Sequence, residues 1–592
     1  MSGIFAKQKT MTANLEALLA EKPGTVEAPT VVVNPYDMAP LSALVCFDTE
    51  EAEAFKVTLK DQRGRDFLHY CSPKASNHRI SVPALVNGAV THVEMAGTAG
   101  HQVHCEIEAV TVECPMEMTV EGVAPAGTLL YAIPADGAGQ PVAVNQYGEL
   151  CWTLKRPLNH RLYFMDNGHF LTGAPLQMAP PYSGAAIWEM DALGHIYKEI
   201  RFEDGFISDF AVLKDGTIVA IGQAAWQGTI RDTLLWINPE TGVIEKRLAA
   251  SSVLAPTGGN AGQSGSDWFQ GISVRYDADN DVLYWSSLAQ DVVLVVDAHT
   301  ATVVKIIGPT DGWDEKRVAT ELFTRPVPRG TFEQPYAVQA VEGALYYINA
   351  NRYPLGKKLP SNPFTVNRLD LQTGRVSPFI RNMEGLVSPV FCDLQMFGAD
   401  TALVLAGGLS NTDSNVPAVF ARERQADVSL SARATLYVKG DKQTEWTFND
   451  NLVYVGFWQG GTVAFDTAVS GPVGEWTPSY EVDIELPIAS ESKIEAELAL
   501  TFWQDDARLY LSGTFYKGEA CVLVLKQGEE KHQYFLNSNL KPFGAEWLFT
   551  YSDGIERWLN WAVPCAHLHG EWQVELIIDD CHYSSDVVVH FE

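Results

Sequence analysis

One hairpin pattern recurs through the middle of the chain and constrains the fold more than any other feature. An apolar strand runs into a turn of Asp or Asn, two or three further residues and usually Gly, and a second β-rich strand follows. Recurrence of one supersecondary unit is typical of solenoids and propellers, since a single unit cannot bury its own apolar face. The six copies begin at Ala143, Glu189, Trp236, Val295, Arg368 and Val419.

A second hairpin, with an alternating strand, a polar turn and a more apolar strand, separates successive copies. It is clearest in the segments that begin at Ile207, Phe269, Pro335 and Pro389. Two hairpins per period describe a four-stranded propeller blade, and the amphipathic helices of a parallel α/β fold are not found in the sequence. The pattern therefore predicts a six-bladed β-propeller.

Short alternating strands also lie on both sides of the repeats, as in FKVTLKD before them and ARLYLSGTFY after them. Such strands are typical of small β-sandwiches. We expect an all-β chain with a helical or flexible segment at residues 1–30, an N-terminal β-sandwich at 31–123, the six-bladed β-propeller at 124–479 and a C-terminal β-sandwich at 480–592.

The charge balance restricts the partners. The chain has 73 acidic and 42 basic residues, for a formal net charge of −31. Such a surface repels phosphate backbones and anionic headgroups, so neither nucleic acid nor membrane is expected as a partner. Homo-oligomerisation is left open.

Cysteine usage and the first residues of the sequence indicate a cytoplasmic protein. The nine cysteines are an odd number without a CxxC pair, and the opening segment contains no apolar run of signal-peptide length. A zinc site could be imagined from the residues Cys565, His567, His569, Cys581 and His582. Because their spacing fits no familiar zinc pattern, we predict no metal and no other cofactor.

Three segments of the chain carry a resemblance to a known family: NPYDMAPLSALV from Asn34, DWFQGISVRYDADNDVLYWSSLAQDVVLVVD from Asp267 and EQPYAVQAVEGALYYINANR from Glu333. They resemble the corresponding segments of the bacterial arylsulfate sulfotransferases. The resemblance covers about residues 31–435 and implies an N-terminal sandwich before a six-bladed propeller. It also implies sulfuryl transfer between phenols without a nucleotide cofactor, through a transiently sulfated histidine at the propeller axis.

The resemblance places other residues where the family has its catalytic groups. The nucleophilic histidine falls on Pro335, which cannot accept a sulfuryl group, and two further histidines fall on Gln270 and near Ser208. No histidine occurs between His299 and His532, so no shift of alignment supplies the nucleophile there. His160 and His169 are alternative imidazoles from an early blade, although a lone histidine in a β-rich segment is more often structural.

The segments that carry the family's catalytic groups are expected to line the channel with neutral polar and aromatic side chains. Tyr336, Arg352 and Asp209 are the candidate catalytic residues, because a phenol beside a guanidinium can act as a base of depressed pKa or as an anion clamp. The candidate ligand-binding residues are Ser208, Trp268, Gln270, Ser287, Gln290, Gln334, Asn349 and Asn351.

Three functions remain open at this point. The first is a propeller that has lost sulfohistidine transfer and binds a small aromatic or anionic molecule in its channel. The second is an active enzyme with substitute axial residues, either a sulfuryl transferase or a diverged lyase or hydrolase. The third is a platform for protein interactions.

Overall fold

The described part of the chain is almost entirely β-structure. A computed structural model describes residues 3–135, 139–174, 177–178, 183–206, 208–224, 229–254, 268–310, 322–323, 325–328, 330–349, 364–380, 383, 392–410, 430–467, 471–475, 481–483, 485, 487–505, 508–516, 519–537, 556–565 and 567–591. The helices among these residues are too short or too polar to cross a membrane.

Two antiparallel sheets follow the first helix, Gly3–Glu21, and pack face to face. Alternation along Phe55–Lys60 places Phe55, Val57 and Leu59 in the core between the sheets. The sheets consist of Thr30–Val33, Ala43–Glu53 and Ala75–Val82, and of Asp66–Cys71, Phe55–Lys60, Val90–Gly97 and Gln102–Glu108.

Six further sheets form the blades of a propeller, which confirms the predicted fold class. Blade 1 contains Leu129–Pro134, Val142–Val144 and Leu150–Thr153, and blade 2 contains Asn159–Phe164, Phe170–Gly173, Gln177–Met178, Ser183–Met190, Ile196–Phe206 and Gly471–Val473. Blade 3 contains Phe210–Val212, Ile218–Ala224, Thr229–Ile237 and Ile244–Ala249. Blade 4 contains Gly271–Asp277, Val282–Ser287, Val292–Asp297, Thr302–Gly308 and Arg325–Pro326.

Blade 5 and blade 6 complete the ring. Blade 5 contains Pro335–Val341, Ala344–Asn349, Thr365–Asp370 and Val376–Pro378, and blade 6 contains Cys392–Met396, Thr401–Ser410, Leu430–Val438 and Asp441–Phe448. Five of the six predicted copies are the outer hairpins of blades 1 to 5. The sixth copy, from Val419, begins outside the described residues, and the outer hairpin of blade 6 instead turns at Lys439 and Gly440.

Two strands from distant parts of the chain close the ring. Leu452–Trp458 supplies the innermost strand of blade 1 by pairing with Leu129–Pro134, although more than 300 residues separate the two. Met118–Gly122 adds a fifth, outermost strand to blade 6 by pairing with Asp441–Phe448. These two distant strands tie the first and last blades together and so close the ring.

The last two sheets share a separate core, in which Leu509 and Leu511 pack with Leu523 and Leu525. One sheet has the strands Ser490–Lys493, Cys581–Ser584, Gly570–Ile578, Ala520–Gln527, Glu530–Asn537 and Val588–Phe591, and the other has Thr501–Asp505, Arg508–Tyr516 and Glu556–Pro564; a short helix spans Ile494–Glu497.

We predict that the outer closure depends on Trp446. This fully buried side chain pairs across the strand with Val120, and its ring centre lies 5.6 Å from that of Phe457. Trp446→Ala should lower the free energy of unfolding by about 3–5 kcal/mol because it leaves a cavity between blades 6 and 1. Differential scanning calorimetry should show the loss as a lower midpoint of the propeller transition.

Trp446→Phe is the matched control. The indole Nε1 is buried without a hydrogen-bond partner among the described residues, so phenylalanine removes an unsatisfied donor while it keeps most of the apolar volume. An alanine variant as stable as the phenylalanine variant would contradict the importance of this closure.

Candidate functional site

The inner strands of the six blades bring one polar side chain each towards the propeller axis. Each inner strand lies beside the inner strands of neighbouring blades, as the contacts of Gly271–Asp277 with Pro335–Val341 and of Asn159–Phe164 with Leu452–Trp458 show. We call the six residues the axial ring. In the order of blades 1 to 6, they are Tyr454, Arg161, Asp209, Arg275, Tyr336 and Asp393.

Arg275 is the centre of an ionic network in this ring. Its Nη1 donates to Oδ2 of Asp209, and its Nη2 donates to Oδ1 of Asp393 at 2.9 Å. The side chains of all three residues are at least 90% buried. The guanidinium therefore joins blade 4 to blades 3 and 6 in a region of low dielectric, where each charge needs its partner.

Backbone amides also hold the two carboxylates. Val274 N donates to Oδ2 of Asp209 at 3.0 Å, and Leu394 N donates to Oδ1 of Asp393 at 2.9 Å. These bonds orient the carboxylates towards Arg275 and satisfy lone pairs that would otherwise be buried unpaired.

Arg161 is held less firmly than Arg275. Its Nη1 lies 3.4 Å from Oδ1 of Asp209, and its Cζ lies 6.0 Å from the centre of the Tyr454 ring. The Nε atoms of Arg161 and Arg275 are buried without a hydrogen-bond partner among the described residues. A buried donor without a partner costs about 1–3 kcal/mol, which an acceptor on a ligand would recover.

The two tyrosines of the ring are neutral. Burial raises the pKa of Tyr454 to about 12, and its hydroxyl donates to the carbonyl of Leu162 at 3.1 Å. Burial also raises the pKa of Tyr336 far above its ordinary value, although Arg275 opposes the shift. Burial thus opposes the predicted depression of the pKa of Tyr336. Its predicted partner Arg352, like Asn351, lies outside the described residues.

Four successive blades place a residue of left-handed backbone conformation at the start of the inner strand. These residues are His160, Ser208, Gln270 and Gln334, with φ of 63°, 69°, 50° and 52°. This backbone conformation is energetically unfavourable for a residue other than glycine, and residues that adopt it concentrate at functional sites. Three of the four were predicted as ligand-binding residues, and Gln334 immediately precedes Pro335.

His160 is the histidine of these four positions. Burial lowers the pKa of its imidazole to about 4, so the ring is neutral near pH 7. Its Nδ1 has no hydrogen-bond partner among the described residues, and its ring centre lies 4.4 Å from that of Phe206. His169 instead bonds Glu189 at 3.0 Å and stacks on Tyr197.

Three of the predicted ligand-binding residues form a structural network beneath the inner strand of blade 4. Trp268 is fully buried, and its Nε1 donates to Oδ2 of Asp232 at 2.9 Å. Gln290 Nε2 donates to the carbonyl of Trp268 at 2.6 Å, and Gln290 N donates to Oγ of Ser287 at 3.1 Å. Each of these polar groups is engaged within the protein.

Two other predicted residues border the inner strand of blade 5. Gln334 N donates to Oδ1 of Asp291 at 2.8 Å, whereas its side-chain Oε1 is buried without a partner among the described residues. Asn349 accepts a bond from Glu333 N at 2.5 Å and lies opposite Pro335 in the blade. Oε1 of Gln334 is thus a polar atom that a ligand could engage.

Sequence reasoning found Asp209 and Tyr336 of the axial ring but missed Arg161, Arg275, Asp393 and Tyr454. The signal was present for Asp393, because it is the one charged residue in the strand CDLQM. Alternation alone does not tell which face of a propeller strand meets the axis.

A cavity of about 210 Å³ lies apart from the axial ring, and none of the ring residues lines it. It is bordered by the first helix, the start of the N-terminal sandwich and the segment after blade 1. Its lining residues are Ile4, Lys7, Gln8, Tyr36, Asp37, Met38, Lys155 and Arg156.

Family models match the first half of the chain. The model described as Arylsulfotransferase (ASST) matches residues 84–342, and the model of the arylsulfotransferase Ig-like domain matches residues 30–113. Together they span residues 30–342, which is more than half of the 592 residues. No curated protein matches the chain significantly.

Solved structures show distant similarity only. Hydrazine synthase of Kuenenia stuttgartiensis is 14% identical, with 46% of this chain and 62% of that chain covered and a TM-score of 0.26. Apo AztD of Citrobacter koseri is 10% identical over 69% and 98% of the two chains, with a TM-score of 0.25. The Cps50 (Swd1) β-propeller domain of Myceliophteria thermophila is 10% identical over 72% and 100%, with a TM-score of 0.29. Similarity at this level does not indicate a shared function.

The ionic network yields a prediction about stability. Arg275→Met should lower the free energy of unfolding by about 3–5 kcal/mol because it leaves Asp393 buried without its cation, while Asp209 keeps only the longer contact with Arg161. Neutralising the unpaired carboxylate in the same chain, with Asp393→Asn, should recover much of the loss, and the Asp393→Asn single variant completes the set. Chemical denaturation of the three variants tests this.

Arg368→Met provides the control. Arg368 lies 3.5 Å from Asp370 in a partly exposed pair, so its removal should change stability by less than about 1 kcal/mol. If Arg275→Met were no more harmful than Arg368→Met, the axial network would not stabilise the propeller.

Proposed function

We infer that this chain, which belongs to the arylsulfotransferase family, binds an aromatic anion at its axial ring and does not pass a sulfuryl group through the family's histidine. The proposal has two parts, namely the loss of the nucleophile and the retention of a binding site. Each part is supported by different residues.

Loss of the nucleophile is supported by the residues at the three matched positions. Pro335 stands where the resemblance puts the sulfated histidine, and it begins the inner strand of blade 5. Gln270 and Ser208 stand where it puts two further histidines. Neither an amide nor a hydroxyl without an adjacent base attacks sulfur readily, so these positions offer no replacement nucleophile.

Anion binding is carried by one observation, which is the incomplete pairing of Arg161. Asp209 and Asp393 both accept hydrogen bonds from Arg275. Among the described carboxylates, Arg161 contacts Asp209, which it shares with Arg275, and its Nη1 lies 3.4 Å from Oδ1. The free Nε of Arg161 can therefore donate to a sulfonate, sulfate ester or carboxylate without breaking the bonds of Arg275. A charge-assisted bond of this kind is about twice as strong as a neutral one.

The aromatic part of the ligand is supported by the two tyrosines. Tyr454 and Tyr336 enter the ring from the blades on either side of blade 6. The buried ring of Tyr454 and the partly buried ring of Tyr336 are neutral and can pack on an aryl group. Aromatic pairs contribute about 0.5–1.5 kcal/mol beyond the buried area. Gln334 Oε1 adds a free acceptor at the same inner strands.

The free thiols favour location of the protein in a reducing compartment, which we propose to be the cytoplasm. All nine cysteines are free, and Cys71 and Cys114 are exposed. Cysteines of proteins in oxidising compartments generally pair as disulfides.

A second candidate function, favoured by His160, is sulfuryl transfer from an aryl sulfate. In this scheme the neutral imidazole attacks sulfur, the S–O bond to the aryl group breaks, and the phenolate leaves; a phenol acceptor then takes the sulfuryl group from nitrogen and releases the imidazole. The left-handed backbone, the lowered pKa and the neighbouring Arg161 are the features that suit this role.

The binding proposal predicts a preference for anions. 4-Nitrobenzenesulfonate should bind the wild-type protein and 4-nitroanisole, its neutral analogue, should bind at least tenfold more weakly. Arg161→Gln should weaken sulfonate binding by roughly 10–100-fold, because it removes one charged donor. Isothermal titration calorimetry measures both. Arg156→Gln is the control, since Arg156 is an exposed arginine outside the ring. Equal affinity in the wild-type and Arg161→Gln proteins would refute the proposal.

The two candidate functions differ in turnover. With 4-nitrophenyl sulfate and a phenol acceptor, the binding proposal predicts no release of 4-nitrophenol above background. Sustained release that is abolished in His160→Gln but kept in His169→Gln would establish the second function instead. Release that survives both changes would rule out histidine catalysis by either residue.

A further inference from the structure

A cluster of metal-ligating side chains lies in the C-terminal sheets, away from every residue of the axial ring. Glu481, His532 and His567 each offer one ligand atom, and these three atoms lie within 4.8 Å of one another. Two imidazoles and a carboxylate are a donor set that suits Zn²⁺ and related divalent ions.

Strand pairing brings the first two residues together. His532 belongs to the strand Glu530–Asn537, in which Tyr534 and Leu536 face the core; the period of two places His532 on the same face. Glu481 forms an isolated antiparallel bridge with Tyr534, and Val482 N donates to the carbonyl of Gln533 at 2.8 Å. These backbone bonds fix the carboxylate beside the imidazole.

His567 arrives from the connection between two other strands. It follows Glu556–Pro564 and precedes Gly570–Ile578, and its ring centre lies 5.4 Å from that of His532. Trp572 Nε1 donates to the carbonyl of His569 at 3.0 Å, which anchors this connection on the sheet. Three segments distant in sequence thus meet at one point.

The hydrogen bonds of His532 match those of a metal ligand. Its Nδ1 lies 2.6 Å from Oε1 of Glu481, and its Nε2 lies 3.3 Å from Oε1 of Glu530. Metal-bound histidines usually donate the opposite ring N–H to a carboxylate, which fixes the tautomer and raises the basicity of the ligating nitrogen. Glu530 is placed to do this while Nδ1 faces Glu481.

The surroundings of His532 restrict the access of water to its ring. The side chain of His532 is 21% exposed, and its ring centre lies 5.3 Å from the buried Trp572. His567 is exposed, so an ion can reach the cluster from solvent.

We propose that Glu481, His532 and His567 bind one divalent transition-metal ion, with Zn²⁺ as the best-suited ion, and so tie the connection at residue 567 to the edge of the C-terminal sandwich. In a tetrahedral zinc site, bonds of about 2.0–2.1 Å place ligand atoms about 3.4 Å apart, so small side-chain rotations suffice. Three protein ligands leave a fourth position open to water.

This site differs from the one imagined from sequence spacing. His582, on the strand Cys581–Ser584, forms a hydrogen bond with Glu575 at 2.9 Å. Two strands of the same sheet lie between this strand and Glu530–Asn537. Three strand spacings of about 4.8 Å put these strands about 14 Å apart. The buried thiol of Cys565 donates to the carbonyl of Val563 at 3.3 Å. The prediction of no metal rested on the spacing of residues along the sequence. Spacing does not reveal which residues become neighbours when strands pair in a sheet.

The test uses the full-length protein with Cys71→Ser and Cys114→Ser, which removes the two exposed thiols as competing sites. After treatment with EDTA and its removal, titration calorimetry with ZnCl₂ should give one ion per chain, unaffected by excess Mg²⁺ or Ca²⁺. Co²⁺ should give the visible spectrum of a tetrahedral or five-coordinate site without a thiolate charge-transfer band. Failure of Zn²⁺ to bind at one ion per chain would overturn the proposal.

Three variants assign the ligands. His532→Ala and His567→Ala should each weaken Zn²⁺ binding at least 100-fold, and Glu481→Gln at least tenfold, because each removes one ligand. His590→Ala, which removes an exposed histidine of the same sheet, should leave binding unchanged. Circular dichroism verifies that each variant is folded. Unchanged binding in His567→Ala, or equal loss in His590→Ala, would place the ion elsewhere.

Discussion

The guanidinium of Arg275, held between the carboxylates of Asp209 and Asp393, is the interaction on which the centre of this molecule depends. It connects blades 3, 4 and 6 across the axis, where the described strands of one blade do not pair with those of the next. In a water-poor interior, each charge is tolerable only while its partner remains, so the inner strands that carry them are held in one arrangement. Arg161 extends the network to blade 2 but is the more weakly bound member.

This constraint also shapes the proposed function. The proposed loss of transfer rests on the resemblance, which places Pro335, Gln270 and Ser208 where the family's histidines are expected. The structure adds left-handed residues at the starts of four inner strands, a backbone conformation that concentrates at functional sites. A partly compensated arginine beside two neutral tyrosines suits recognition of an aromatic anion better than transfer chemistry.

The C-terminal sheets illustrate a different route to a site. The spacing of Glu481, His532 and His567 in the sequence matches no metal-binding motif. They come together because Glu481 pairs with Tyr534 and because Trp572 holds the connection that carries His567 on the sheet. The axial ring has the same character, since its six residues lie between positions 161 and 454 with one from each blade. In both sites the chemistry belongs to neighbouring strands, not to neighbouring residues.

The sequence by itself determined the all-β class and five of the blades, because hairpin turns and alternating strands are local patterns that five outer hairpins reproduce as predicted. It also identified Asp209 and Tyr336 as axial. The closing strands Met118–Gly122 and Leu452–Trp458, the turn at Lys439 and Gly440, and the partners Arg161, Arg275 and Asp393 were decided by tertiary structure. The reason is physical: a strand's alternation fixes which residues share a face, but only the closed ring of sheets decides which face meets the axis and which distant strand lies beside it.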